Sequence, residues 1–123
     1  MRNFIAYLST FCLLITSCFP VAAVAQSDMR IKQQDLFIEL TEGKKLKRFM
    51  IELSVEKNGT ITGIGAGTEV TGSWNWKDGY FCRSLSWGNR DLGTDCQLVE
   101  LKRKKLYFTS QQGQGATAGF SIQ

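Results

Sequence analysis

The stretch Ile51-Glu52-Leu53-Ser54-Val55-Glu56-Lys57-Asn58-Gly59-Thr60-Ile61-Thr62-Gly63 decides the fold. Phe49, Ile51, Leu53 and Val55 alternate with Met50, Glu52, Ser54 and Glu56, which is the period-two pattern of a half-buried strand. Asn58-Gly59 is a strong short hairpin signal, since both residues of a two-residue turn take positive φ. The returning strand is predicted over 60–66. Further strands are predicted over 70–76, 80–87, 95–102, 106–110 and 117–122. Their connections are Lys77-Asp78-Gly79, the loop Gly88-Asn89-Arg90-Asp91-Leu92-Gly93, Arg103-Lys104, and Gly113-Gln114-Gly115. Seven short strands joined by tight turns predict a mainly β fold, a lipocalin-like antiparallel meander curled into a small β-barrel or half-barrel.

Upstream, residues 35–43 read as one short N-terminal helix. Asp35 is placed to cap its start, Gly43 to end it, and Leu36, Phe37 and Leu40 share a face. A strand competes there, because Phe37, Ile38 and Leu40 also suit a sheet. Residues 26–34 are polar and read as a flexible leader, so 35–123 is the expected single β domain.

The first 25 residues read as an export signal. Arg2 is basic, residues 4–15 are mostly apolar, and Ala23-Val24-Ala25 is a small-x-small cleavage site before Gln26. The apolar run is short of the roughly 20 residues of a membrane span. The expected location is periplasmic or secreted, with no transmembrane helix in the mature protein. Ile15-Thr16-Ser17-Cys18 also resembles a lipobox, so a lipid anchor at Cys18 is the alternative.

Removing residues 1–25 takes away one charged residue, Arg2, and leaves 14 basic against 11 acidic residues. That mild excess suits weak attraction to anionic surfaces and falls short of a nucleic-acid footprint. Lys44-Lys45, Lys47-Arg48 and 102–105 form two basic runs. There is no histidine, which excludes Ser/His and Cys/His nucleophile pairs and imidazole metal sites. Cys82 and Cys96 remain after the signal and are most simply one disulfide. The functional alternative is a redox pair or half a metal site, although the spacing is not C-x-x-C.

Gly63-Ile64-Gly65-Ala66-Gly67 resembles part of a dinucleotide fingerprint. That motif works only where a helix start follows the glycines, and Thr68-Glu69-Val70-Thr71 is strand-like. The alternating glycines instead leave room for a bend or for a ring from Trp74 or Trp76. Those two tryptophans share a face and are either core or an aromatic platform at a barrel mouth; Trp87 sits near a strand end. Arg83, Arg90, Asp91 and Asp95 gather at one hairpin, as a small anion or sugar site or as two surface ion pairs.

The segment 70–83 (Val-Thr-Gly-Ser-Trp-Asn-Trp-Lys-Asp-Gly-Tyr-Phe-Cys-Arg), with Trp87-Gly88, Asp91-Leu92-Gly93 and Cys96-Gln97, resembles a family of small exported bacterial proteins of uncharacterised function. Leu40-Thr41-Glu42-Gly43-Lys44, Phe108-Thr109-Ser110 and Gly113-Gln114-Gly115 fit it as well. Some members carry the name dihydrodipicolinate reductase. The residues here argue against that activity, because an enzyme of that kind is cytoplasmic, longer, two-domained and built around a nicotinamide cofactor. Size, export and strand pattern also resemble lipocalin-like and lysozyme-inhibitor barrels, a likeness of fold alone.

The expectation is a non-enzymatic envelope binding module for a small ligand, polymer or protein partner. The reductase, a structural envelope protein and a lipoprotein are the alternatives. Trp74, Trp76, Trp87, Arg83 and Arg90 are the expected ligand-binding residues. No catalytic residue, metal site or cofactor is expected, nor a nucleic-acid partner.

Overall fold

The computed structural model describes residues 18–19 and 28–123; the expected signal and its cleavage site lie outside them, Cys18 and Phe19 excepted. The described chain is mainly β. In order, β1 is Met29–Ile31, α1 Gln34–Thr41, β2 Leu46–Arg48, β3 Ile51–Val55, β4 Thr60–Gly65 and β5 Thr68–Lys77. There follow β6 Tyr80–Trp87, β7 Arg90–Lys102, β8 Lys105–Thr109 and β9 Thr117–Ile122. Strands β2 to β9 pair antiparallel with their sequence neighbours. The β7–β8 and β2–β9 pairings close them into an eight-stranded barrel, a size that side chains can fill. The ninth strand, β1, lies along the C-terminal half of β7, with Arg30 opposite Glu100.

Strand direction gives the barrel two unlike ends. At one lie the turns after β3, β5 and β7. Helix α1 covers this end and inserts Phe37, which is 0% exposed. Its ring centroid lies 5.1 Å from Phe81, 5.2 Å from Trp76 and 5.4 Å from Trp74. Phe108 and Phe120 continue the aromatic stack through the barrel. At the other end lie the turns Phe49–Met50, Ala66–Gly67 and Gly88–Asn89, and a four-residue helical turn at Ser110–Gly113. No helix among the described residues is long and apolar enough to cross a membrane.

Several local expectations are corrected. Part of the expected leader is ordered: Met29–Ile31 form β1, and Ile31 is fully buried. The helix starts at Gln34, and Asp35 sits in its first turn, with no side-chain cap at Gln33. Gly43 does take φ +69° just past the helix end. The 58–59 hairpin is a longer turn. Gly59 N–H donates to the Glu56 carbonyl (3.0 Å), only Gly59 of the pair has positive φ, and Asn58 Oδ1 accepts from Thr60 N–H. Phe49 does not belong to an inward-facing row. The short strand β2, unseen in the basic run, turns at Met50 (φ +59°) and leaves Phe49 89% exposed. The expected 88–93 loop is mostly strand, because β7 starts at Arg90 and bulges at Leu92.

Where β5 meets β6, Gly72 lets the backbones approach closely. A Cβ there would overlap the Ser84 carbonyl oxygen and lie 2.7 Å from Leu85 Cδ2. A backbone oxygen held in a ladder yields little, so overpacking of about 1–3 kcal/mol follows. Gly72→Ala is expected to lower the urea midpoint accordingly. An unchanged midpoint would contradict the close approach.

Candidate ligand site at the open end of the barrel

The end opposite α1 is not filled. The inward-facing residues there include Ile51 and Leu53 of β3, Leu85 of β6 and Phe120 of β9. They surround a cavity of about 210 Å³ whose floor includes Phe81 and Phe108, with Arg48, Arg83 and Gln97 as its polar lining. The same four apolar residues also line a basin of about 500 Å³ that opens outward. Its rim is Phe49, Met50, Trp87 and Leu92, all substantially exposed. The turn after β2 presents the first two, and the β7 bulge presents Leu92. An apolar hollow with a few convergent polar groups is the usual form of a small-molecule site.

The five expected binding residues divide between the two ends. Trp74, 7% exposed, donates from Nε1 to the Glu56 carbonyl (2.7 Å) and packs beneath Phe37. Trp76 donates to the Lys32 carbonyl (2.9 Å) and also stacks on Phe37. Both belong to the closed end, as core. Trp87, 36% exposed, stands at the open end and donates to the Gly65 carbonyl (2.7 Å). Its ring, rather than that of Trp74 or Trp76, lies across Gly65. Arg83 lines the cavity and donates to the Gly93 carbonyl (3.1 Å). Arg90 is exposed beside the turn, opposite Trp87 in register.

The expected ion pairs of this hairpin are not formed among the described residues, where the ion pairs are Lys47–Glu52 and Lys102–Glu100. Asp91 instead accepts from Gly93 N–H (2.8 Å) and shapes the bulge. Asp95 accepts from Gln111 N–H and from the Gln97 amide, both at 3.0 Å. Partial burial pushes its carboxyl up. Hydrogen bonds from Gln111, Gln97 and Ser110, helped by the charge of Arg83, outweigh that and hold it below the usual range. Its stabilising contribution is therefore present above the unfolded value of about 3.9 and drains away as pH falls through the lower folded value. The stability gap between wild type and Asp95→Asn is expected to narrow as pH drops from about 5 to about 2. A constant gap would contradict this.

Cys82 and Cys96 are bridged across β6 and β7, directly opposite in register with Cα atoms 3.9 Å apart. The bridge is compatible with an oxidising compartment. The 63–67 glycine run ends β4 and turns at Ala66–Gly67 into β5, so no helix start follows it. The two basic runs meet on the outer wall. Lys47 and Lys105 both stand opposite Ser121 of β9, one from each side.

A scan of family models, a search of curated proteins and a search of solved structures each find no match to this chain. The site's own residues therefore carry the functional reading. Four that sequence reasoning missed, Phe49, Met50, Leu92 and Arg48, complete the open end. A signal for Phe49 and Met50 existed in hindsight: two large apolar residues in succession straddle both faces of any strand.

Proposed function

We propose that this chain is an exported, non-enzymatic binding module of the periplasm or extracellular space, and that it holds a small ligand in the open end of its barrel. One observation carries this reading: the cavity beside Arg83 shares four apolar lining residues with a basin whose rim leaves four large side chains in water. Exposed apolar surface concentrated at a concavity marks a binding site far more often than a monomer's ordinary surface. The missing histidine, the bridged cysteines and the strand that follows the glycine run support binding over reductase chemistry. The resemblance to small exported proteins is in keeping with it. Acylation at Cys18 would tether the same module without altering the barrel.

The test is a titration of the purified protein with the neutral fluorescent probe N-phenyl-1-naphthylamine, read by probe emission and by melting. Saturable binding of one probe per chain is expected. At 100 times its Kd the probe should add about 2.7 kcal/mol to stability. Trp87→Ala should weaken binding, and Trp76→Ala, at the closed end, should not. No saturable binding overturns the reading, and a melting shift with a nicotinamide dinucleotide would favour the reductase.

The Lys47–Ser121–Lys105 row favours a second reading, an anionic envelope polymer bound on the outer wall. That binding would weaken with salt and be indifferent to Trp87.

A further inference from the structure

Two arginines line a largely apolar cavity. Inward-facing Arg48 and Arg83 both line the 210 Å³ chamber, where the remaining polar lining is Gln97. Neither has a carboxylate within ion-pair distance among the described residues. Arg48 is exposed at the cavity mouth and rests its guanidinium 5.6 Å from the centroid of the Phe120 ring. Arg83 is half-buried and spends an N–H on the Gly93 carbonyl. The nearby acid, Asp95, has both carboxylate oxygens engaged, by Gln111 N–H and by the Gln97 amide. A guanidinium presents five donors in a planar fork suited to carboxylate or phosphate. The adjoining basin is almost wholly apolar and carries no charged residue in its lining.

We propose that the ligand is an anionic single-chain amphiphile, a monoacyl chain with a carboxylate or phosphate head. The head lies against Arg83 and Arg48. The chain lies across the basin beneath Phe49, Met50, Trp87 and Leu92. This rests on the small-ligand reading above and adds to it the charge and shape of the ligand. Charge complementarity argues for the occupant: two guanidinium groups without an ion-pair partner beside an apolar basin favour an anionic head over a neutral one, and a cation would be repelled.

The experiment compares dodecanoate, dodecyl phosphate and dodecanol, each below its aggregation concentration, by isothermal titration and intrinsic tryptophan fluorescence. Both anions are expected to bind one per chain and about tenfold or more tighter than the alcohol. The double variant Arg48→Gln/Arg83→Gln should erase that preference, so that the anions bind no tighter than dodecanol. Equal binding of anions and alcohol to the wild-type protein overturns the proposal while leaving the small-ligand reading intact. Failure of all three, and of the neutral probe, removes both. The wild-type comparison decides the matter even if the double variant does not fold. A further arm sediments the protein with phosphatidylglycerol vesicles. Vesicle binding that dodecanoate does not displace would make the apolar rim a membrane contact and overturn the proposal.

Discussion

Phe37→Ala is expected to remove about 3–5 kcal/mol of stability, the usual cost of truncating a buried phenylalanine. Few single changes in this barrel should cost more. Phe37 belongs to a two-turn helix too short to be stable alone, and α1 carries a modest buried face, chiefly Phe37 and Thr41. The ring is fully buried and touches side chains from β5, β6 and β8, since Trp74, Trp76, Phe81 and Phe108 all lie within 6.3 Å of its centroid. Truncation opens a void between three strands and the helix at once. The strands are held in a closed ladder and cannot collapse into the space. A loss of that size is a large fraction of the 5–15 kcal/mol typical of a domain and corresponds to a melting drop of about 12 °C or more. Phe49→Ala is the matched control. It removes the same ring from an 89% exposed position and should change stability by no more than about 0.5 kcal/mol. Equal losses from the two variants, measured by urea denaturation, would contradict the plug.

The contrast between these two phenylalanines shows what a sequence pattern can and cannot say. Both sit in apolar-rich stretches with good periodicity. Phe37 falls on a buried face because Leu40, three residues on, and the i,i+4 pair Leu36–Leu40 mark one apolar stripe. Phe49 reads as part of the same alternating row because Ile51, Leu53 and Val55 follow at period two. The alternation is real, but it starts at Ile51. A three-residue strand, Leu46–Arg48, precedes it, and a strand that short inside a run of lysines leaves almost no periodic trace. It exists because β9 and β3 flank it and complete its hydrogen bonds, with Leu46 opposite both Ile122 and Leu53. Strand β1 is a similar case. Its pairing with β7 joins residues some seventy apart, Met29 with Leu101, and no local signal carries that information.

The site was legible in its chemistry more than in its place. Turn residues at Asp78–Gly79 and Arg103–Lys104 act locally, so those hairpins could be read from the chain, and with them the antiparallel meander. Arg83 and Trp87 share one face of β6, opposite that of Cys82, but the sequence does not mark that face as the inward one. Trp74 and Trp76 share that face, but nothing local distinguishes the plugged end from the open one. That difference depends on which way α1 folds over the barrel. The open end is assembled from three turns and a bulge distant in sequence, and its arginines come from β2 and β6. Only closure of the sheet through β9 brings Arg48 and Arg83 to one cavity.

The Cys82→Ala/Cys96→Ala double variant is expected to be about 3 kcal/mol less stable than the oxidised protein. The bridge closes a loop with a sequence separation of 14, and in the chain-entropy model a loop of about that length restricts the unfolded chain by roughly that amount. The two cysteines face each other in register on adjacent strands, so the native state positions both sulfurs without help from the bond. The barrel should therefore survive removal of the bridge in shape, and its far-ultraviolet circular dichroism should not change. For a domain of this size, the melting temperature should fall by about 12–24 °C. Reductant should produce the same fall in the wild type and none in the variant, which separates the bridge from the loss of one buried and one half-buried side chain. The effect on ligand is expected to be small: the bridge does not line the open-end cavity, and the rim is built from other turns. A variant that keeps its melting temperature would contradict the stabilising role. One that melts normally but loses a redox activity would return the pair to the class of reactive cysteines.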